Sequence, residues 1–373
     1  MAIQSAFTLT PNEIYESLAN MIISQEVFAD NIGKNQTLVD KARVDGGLYG
    51  DTKLFYATDV LESHDWLNDA EASNLLSLDR PKDPEVQAIK LDQFRQIRLT
   101  LDNYMTKRAF ADEGTFASFN GVMLGWMRDT KKVYDGTLYN VFIGTTVSPK
   151  AAQNVEIDIS GVSTNEDEAK LIAQGMADLL VEMGDYSREF NDYENLRSYS
   201  EEGIEVIWNS KWVNKIRKVD LPAIFHKDGL VDKFEEDVLP ARYFGRAVAE
   251  SDIGSGKIIG ADGAYDSTKG TLRAAKEFDY NNKHYFPGDA LATSGTYVAV
   301  VGGLEVSQVF IEEADVICKV VVKLPPYMSA FEVGTTFFNP RSLTENHYLT
   351  FGHNTIAYLK NYPFITVKAK KAQ

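Results

Sequence analysis

The sequence is short of the residues that build catalytic and metal centres. It has one cysteine, Cys318, and five histidines among 373 residues. A single cysteine forms neither an internal disulfide nor a thiolate metal cluster, and this usage fits a reducing compartment such as cytoplasm. Cys318 lies in the apolar run 316–322, so we expect a buried small hydrophobe and not a nucleophile.

Motifs that carry chemistry are also missing. Neither HExxH nor GxSxG occurs. A glycine-rich stretch resembles a phosphate-binding loop, but Ser251 stands where its first glycine belongs and Ile258 where its Ser/Thr belongs. A hairpin would bring His347 and His353 together, yet a metal site needs more ligands. We therefore predict no catalytic residue, no cofactor and no metal.

Basic charge and long apolar runs are scarce as well. The chain has 38 basic and 54 acidic residues, a net charge of −16. Sequence-specific nucleic-acid binders usually present a basic face, so this balance opposes that function. No stretch approaches the ~18 apolar residues that span a bilayer as a helix, so we expect no membrane partner. The acidic clusters, such as Glu201 and Glu202, are expected to be solvated surface, because sequence alone does not select a catalytic acid–base pair.

Residues 1–42 form a predicted N-terminal arm. The first 33 residues contain no Lys or Arg. Thr10 and Pro11 can start a short helix whose apolar stripe includes Ile14 and Leu18. A helix this short is marginal alone in water, so we expect it to dock on the body or on another chain.

Residues 43–104 are predicted to form an extended β-hairpin loop. Apolar and polar residues alternate between Ile89 and Leu101, which is typical of a strand with one buried face. The outgoing strand is expected at 52–60, and about 25 residues connect the two. A two-stranded ribbon cannot bury its own surfaces, so we infer that something outside the subunit covers it.

The body is predicted to be α+β. A long helix is expected over 112–135, ending at Gly136, with a strand at 138–145 after it. Gly121 and Gly125 on this helix are either tolerated or mark close packing. A second helix begins after the capping residue Thr164. A strand–helix–strand unit covers 203–244, and the final third is rich in strands.

This order of elements resembles the major capsid protein of tailed bacteriophages, a fold shared with the capsid floor of herpesviruses and with encapsulins. The resemblance covers nearly the whole chain, by layout more than by diagnostic motif. Its strongest stretches are 85–110, 112–136, 203–244, 296–303 and 346–370. It implies an arm at 1–42, an extended loop at 43–104, a peripheral domain at 105–163 and 306–373 with the spine helix, and an axial domain at 164–305.

The resemblance also implies a function. Subunits would assemble as hexamers and pentamers into an icosahedral shell around packaged double-stranded DNA, with a scaffolding protein and a portal as assembly partners. The predicted inter-subunit contacts are Ile14, Leu18, Lys53, Phe55, Trp66, Leu67, Phe94, Arg95 and Arg98. A glycine-rich loop at 251–270 would face the capsomer axis through Gly254, Gly256, Gly260 and Gly263.

Two features of some family members are not expected here. The arm leaves little room for a cleaved scaffolding extension, so we expect a separate scaffold and no N-terminal cleavage. Some members cross-link subunits through Lys–Asn isopeptide bonds, but nothing marks Lys53, Asn68 or Asn74 as reactive. The acidic balance predicts only weak, non-specific contact with DNA.

Three other functions remain open at this point. An encapsulin-like cellular compartment would share the fold and would copurify with enzyme cargo. A soluble carboxylate-based hydrolase would be a compact monomer with a deep acidic cleft. A tail or baseplate component would form rings or tubes in place of closed shells.

Overall fold

The structure is a computed structural model of the 373-residue chain. It describes residues 37–46, 51–63, 80–102, 113–217, 235–249, 252, 264–265, 270–280, 282–292, 298–299 and 306–371.

A mixed five-stranded sheet forms the centre of the body. Its strands are β4 (Asn154–Asp158), β5 (Glu205–Asn209), β6 (Glu235–Leu239), β15 (Val316–Val321) and β18 (Phe364–Lys370), in the order β4-β18-β15-β5-β6. Every residue of β15 is buried. A strand covered on both faces does not alternate, which explains why its sequence reads as one apolar run.

Helices cover both faces of this central sheet. One face packs against α3 (Asn165–Gly184) through an apolar stripe of buried residues, Ile172, Met176, Leu179, Leu180 and Met183. The other face packs against α1 (Thr37–Ala42) and the C-terminal part of α2 (Glu113–Thr145). The central sheet is therefore the middle one of three layers, with a helix layer on each face. This agrees with the α+β body predicted from the sequence.

The spine helix α2 is longer than the predicted 112–135. It continues through Gly136 to Thr145, so the strand predicted at 138–145 is wrong. Tyr139 and Ile143 are fully buried in the core beneath α1. Burying two such side chains is worth several times the ~1 kcal/mol that a helical glycine costs, so Gly136 does not end the helix.

The start signal predicted at Thr164 is confirmed, and a second helix begins with a similar cap. Thr164 caps α3, its hydroxyl accepting a hydrogen bond from the Asp167 amide at 3.2 Å. The Asn209 side chain accepts from the Lys211 amide at 3.1 Å at the start of α4 (Ser210–Arg217). Both satisfy amides that a helix leaves without an internal partner.

A second five-stranded sheet projects from the body. Its strands are β1 (Arg43–Asp45), β2 (Thr52–Ala57), β3 (Glu85–Leu101), β16 (Tyr327–Asn339) and β17 (Thr344–Asn354), in the order β1-β16-β17-β3-β2. The predicted hairpin exists, since β2 pairs antiparallel with residues 85–90 of β3. Beyond it, β3 pairs with β17 of the same chain. The sequence predicted a ribbon of two strands along its whole length. This is wrong, because β17 replaces β2 as the partner of β3 beyond residue 90.

The remaining strands are short. They are β7 (Gly245–Ala247), β8 (Ala264–Tyr265), β9 (Leu272–Ala274), β10 (Phe278–Tyr280), β11 (Lys283–Tyr285), β12 (Ala290–Ala292), β13 (Val298–Ala299) and β14 (Val309–Glu312). Four of them form a sheet in the order β12-β9-β14-β7.

Gly144 of α2 contacts the neighbouring turn closely: a Cβ there would lie 2.1 Å from the Tyr243 carbonyl oxygen.

Candidate inter-subunit surfaces

Eight of the predicted contact residues lie outside the described residues. They are Ile14, Leu18, Trp66, Leu67, Gly254, Gly256, Gly260 and Gly263. Asn68 and Asn74 lie outside them too. The capsomer-axis loop and the arm contact therefore stay predictions. Lys53, Phe55, Phe94, Arg95 and Arg98 are described, and all five lie on the projecting sheet.

The hairpin of β2 and β3 has one face turned to its own chain and one turned outward. Phe55 packs on a small core that includes Ile89 and Met328. On the other face, Leu54 is 51% exposed and Tyr56 is 65% exposed. Strand alternation separates Phe55 from its two neighbours. The sequence located this strand but did not show which of its faces meets the body, so the outward residues were missed.

The loop end of the hairpin, just beyond the Ala57–Glu85 pair, is anchored to its own body. The Asp59 carboxylate pairs with Arg188 and accepts from the Leu196 amide at 2.9 Å, and Arg197 donates to the Thr58 carbonyl. The hydrogen bond from Arg188 is the main cause that lowers the pKa of Asp59 to about 2. The inference that only something outside the subunit covers the ribbon is therefore wrong for this end.

A buried polar chain joins β3 to the spine helix. Arg95 Nε donates to Tyr134 Oη at 3.3 Å, and Tyr134 Oη lies 2.8 Å from His353 Nε2. His353 Nδ1 lies 2.8 Å from the Asn354 carbonyl oxygen, so it carries the ring proton and Nε2 accepts from the tyrosine. Burial lowers the pKa of His353, which favours this neutral form. Arg95 thus serves an internal contact.

His353 and His347 do not form a metal pair. Both lie on β17, six residues apart, which separates them by about 20 Å along a strand. The hairpin approach considered from the sequence is therefore wrong. No group of three His, Cys, Asp or Glu side chains in the described part of the chain is placed to hold a metal ion.

A second buried cluster fixes the middle of α2. Asp135 accepts from Tyr327 Oη at 2.7 Å and from Lys131 Nζ at 2.9 Å, and Arg43 lies 3.6 Å away. Lys131 and Asp135 are both buried. Because α2 continues to Thr145, Lys131 lies in the interior of the helix and is held by a carboxylate one turn on.

Lys41 holds α1 against the central sheet. Its Nζ lies 2.9 Å from an oxygen of Asp237 and 3.3 Å from one of Glu205. Burial and the neighbouring Asp237 carboxyl raise the pKa of Glu205 to about 7. This contact fixes the point at which the predicted arm joins the body.

A cavity of about 260 Å³ opens between α2, β3 and the end of β17. Its lining is apolar on one side, with Leu138 and Phe142, and carries Arg95, Lys276 and His353 on the other. No carboxylate is among the described residues that line it. It is therefore not the acidic cleft that a carboxylate-based hydrolase requires.

Cys318 and Lys319 are enclosed by the central sheet. Cys318 is fully buried, as predicted, with Sγ 3.6 Å from Met176 Sδ. Lys319 Nζ donates to the Thr146 carbonyl at 2.7 Å and to Thr366 Oγ1 at 2.8 Å. Burial lowers the pKa of Lys319 to about 7. Neither side chain reaches the surface, and both serve the core.

The projecting sheet exposes apolar side chains along its far end. Phe94 of β3 is 43% exposed, and Arg98 donates through Nε to Gln96 Oε1 at 3.0 Å on the same strand. On β16, Val333, Phe337 and Phe338 are all exposed. Lys53 is closer to the body and donates to the Asp45 carbonyl at 2.6 Å. On the described part of this sheet, the outer face of the hairpin and the outer end of β16 are thus open.

Among the helices that the structure describes, none is long and apolar enough to cross a membrane.

The chain matches no family model and no curated protein. Its structure, however, is similar to solved ones. A chain in the capsid structure of Staphylococcus phage Andhra superposes with a TM-score of 0.59 at 10% identity, covering 93% of this chain and 87% of that one. The chain has the tailed-phage major capsid fold. A chain in the structure of the head fiber and inner core protein gp22 of bacteriophage P68 gives a TM-score of 0.57 at 11% identity, covering 93% and 88%.

The described residues contain the predicted spine helix and sheets, whereas residues 1–36 of the predicted arm lie outside them, so the arm and the domain bounds stay predictions. At such low identity the likeness extends to the backbone, and side-chain contacts must be argued from this chain's own surface. Leu54, Tyr56, Val333 and Phe337 are the residues that this surface adds to those predicted from the sequence.

Proposed function

We propose that this protein is a major capsid protein that assembles, as hexamers and pentamers, into an icosahedral shell around packaged double-stranded DNA. The observation that carries the proposal is the combination of the capsid fold with open apolar surface on the projecting sheet. Leu54, Tyr56, Phe337 and Phe338 are each more than half exposed. Neighbouring subunits are the natural cover for such residues, since contiguous apolar surface on soluble proteins marks interaction sites.

Assembly through several modest contacts per subunit suits this surface. A closed shell gains from multivalency, because each further contact forms within an assembly that already exists. Individually weak contacts also let a misplaced subunit leave. We infer that the arm and the outer face of the hairpin supply such contacts, with Ile14, Leu18, Trp66 and Leu67 as candidates.

The other partners follow from the same proposal. A scaffolding protein and a portal would act during assembly in the host cytoplasm, and the virion would be the final location. The net charge of −16 keeps contact with DNA weak and non-specific. The packaged DNA would then remain free to leave the shell.

Electron microscopy of the purified full chain tests this function. The expected result is closed icosahedral particles, in the presence of a scaffolding protein if the chain alone is slow to assemble. Analytical ultracentrifugation supplies the second reading, in which a large discrete species replaces the monomer. A stable 41.7 kDa monomer under all these conditions would contradict the proposal. Rings or tubes would favour a tail component, and enzyme cargo without DNA would favour a cellular compartment.

A further inference from the structure

The outer half of β16 is a sheet edge with a strand on one side. Residues 332–339 pair with β17. On the other side, β1 pairs only with Tyr327, Met328 and Ser329. No strand among the described residues continues β1 along the edge beyond that point. An edge of this kind presents outward-pointing amides and carbonyls that a further strand can bind.

Both faces of this edge segment are apolar and open. Phe337 is 60% exposed and Val333 is 45% exposed, and both point to one face. Phe338 points to the other face and is 53% exposed. A strand added here would therefore find hydrogen-bonding groups in its plane and apolar side chains above and below it.

The segment lacks the devices that keep sheet edges apart. Between Val333 and Asn339 it has no charged residue and no proline. The opposite edge of the same projecting sheet differs, because β3 carries Arg95 and Arg98 along the matching stretch, residues 95–101. Charges and prolines are the usual protection against edge-to-edge pairing. One edge of the sheet is thus guarded and the other is not.

We propose that the outer edge of β16 binds the edge of β2 from a second copy of this chain, in antiparallel register. This inference rests on the proposed function. β2 is the last strand in the order of the projecting sheet and exposes Leu54 and Tyr56. Each copy therefore carries both halves of the contact. At a net charge of −16, copies repel one another, and this is a place where they can meet without like charges.

The dimensions and charges of the two strands agree. β2 has six residues, about 20 Å, and the open edge of β16 has eight, about 26 Å. The charged residues on the two paired segments are Lys53 and Glu332, which have opposite signs. Because β2 and β16 are different surfaces, the contact is heterologous and repeats from subunit to subunit around a ring.

Cysteine cross-linking tests the pairing. The variant Tyr56→Cys/Phe337→Cys carries one thiol on each strand, and the natural Cys318 is fully buried. Assembled particles would be treated with a short bismaleimide and run on a denaturing gel. We expect a ladder of dimers, trimers and larger multimers, because each subunit links to two neighbours.

Matched variants identify the partner edge. Thr100 lies across the sheet from Phe337, in register through Asn346. Tyr56→Cys/Thr100→Cys therefore places the second thiol on the guarded edge and should give no ladder. Dimers from Phe337→Cys alone would mean that two β16 edges pair with each other, which would overturn the proposal. Particles of the double variant without cross-links would overturn it as well.

Hydrogen exchange on the unmodified protein keeps the test independent of the variants. In particles, every second amide over 333–339 should exchange more slowly than in free subunits, because alternate amides point outward from the edge. Unchanged exchange in well-formed particles would reject the strand pairing and leave the capsid function standing. Failure of the unmodified chain to form particles would instead reject the capsid function.

Discussion

The two large sheets of this protein differ in how far their apolar residues are buried. In the central sheet, β15 is buried along its whole length between α3 on one face and α1 and α2 on the other. In the projecting sheet, β16 is exposed along residues 332–338. The two strands are similar in β-forming composition, so the difference lies in what covers them.

This contrast separates folding from assembly. The central sheet is complete within one chain, and its residues stabilise the subunit. The projecting sheet is tied to the body near one end, by Asp59 and by the Arg95–Tyr134–His353 chain among other contacts, and its far end is open. Substitutions in the first sheet should therefore change the free energy of unfolding, and matched substitutions in the second should change assembly.

The largest effect is expected at Gly144 on the inner side of the spine helix. Gly144→Ala would place a methyl group 2.1 Å from the Tyr243 carbonyl oxygen, so the backbone of α2 or of the turn must move. We expect a loss of about 3 kcal/mol in the free energy of unfolding, the range of overpacked cores. Urea denaturation of the free subunit measures it. Gly125→Ala is the control, because no described atom outside the helix's own backbone lies within 4 Å of its Cβ position; equal losses would contradict the assignment.

A valine pair compares the two sheets directly. Val320→Ala in β15 removes fully buried methyl groups and should cost about 2 kcal/mol of subunit stability. Val333→Ala in β16 removes the same atoms from a side chain that is 45% exposed, and should cost less than about 0.5 kcal/mol. Val333→Ala should also lower the particle yield by more than its small loss of stability explains. Equal unfolding midpoints for the two variants would show that the sheets do not differ in this way.

The next effect concerns the anchor of the hairpin. Asp59→Asn removes the charge that pairs with Arg188 and should cost about 1.5 kcal/mol, the range for hydrogen bonds to charged groups. Faster exchange of the Leu196 amide, which donates to Asp59, is the local readout. Glu62→Gln, an exposed carboxylate nearby, is the control. An unchanged exchange rate of the Leu196 amide would mean that other contacts hold this end of the hairpin.

The same anchor should depend on pH in a defined direction. The pKa of Asp59 falls from an ordinary 3.8 to about 2 in the folded chain. Between these values the unfolded chain binds more protons, so stability from this group is complete above about pH 4 and is lost as the pH falls toward 2. Asp59→Asn should lack this dependence. An identical acid profile in the variant and the parent chain would contradict the role of Asp59.

The regular elements of this fold follow from local patterns in the sequence. The alternation in β3, the apolar run of β15 and the capping signal at Thr164 each predict the structure that forms. These patterns are local, because the period of apolar residues and the cap depend on a few neighbours. The end of α2 does not follow, since Gly136 is overruled by the burial of Tyr139 and Ile143 against elements distant in sequence.

The candidate surfaces follow only in part. The sequence located the projecting loop, but it selected Phe55, which faces inward, over Leu54 and Tyr56, which face outward. Alternation defines two faces without saying which one meets the body. Nor did it foresee that β17 pairs with β3, because that contact joins segments about 250 residues apart and depends on the complete fold.

The smallest effect is expected on the outer side of the spine helix. Gly121 lies within α2, and among the described residues no atom outside the helix's own backbone lies within 4 Å of a Cβ built there. No described residue therefore packs closely on this glycine, in contrast to one of the two sequence interpretations. Gly121→Ala should raise the stability of the free subunit by up to ~1 kcal/mol through helix propensity alone. Urea denaturation measures this gain, and particle yield then reveals whether a neighbouring copy approaches the glycine. A more stable subunit that still assembles shows an open helix face, whereas a more stable subunit that fails to assemble shows that the face is covered in the shell. A less stable subunit would contradict the open geometry at this position.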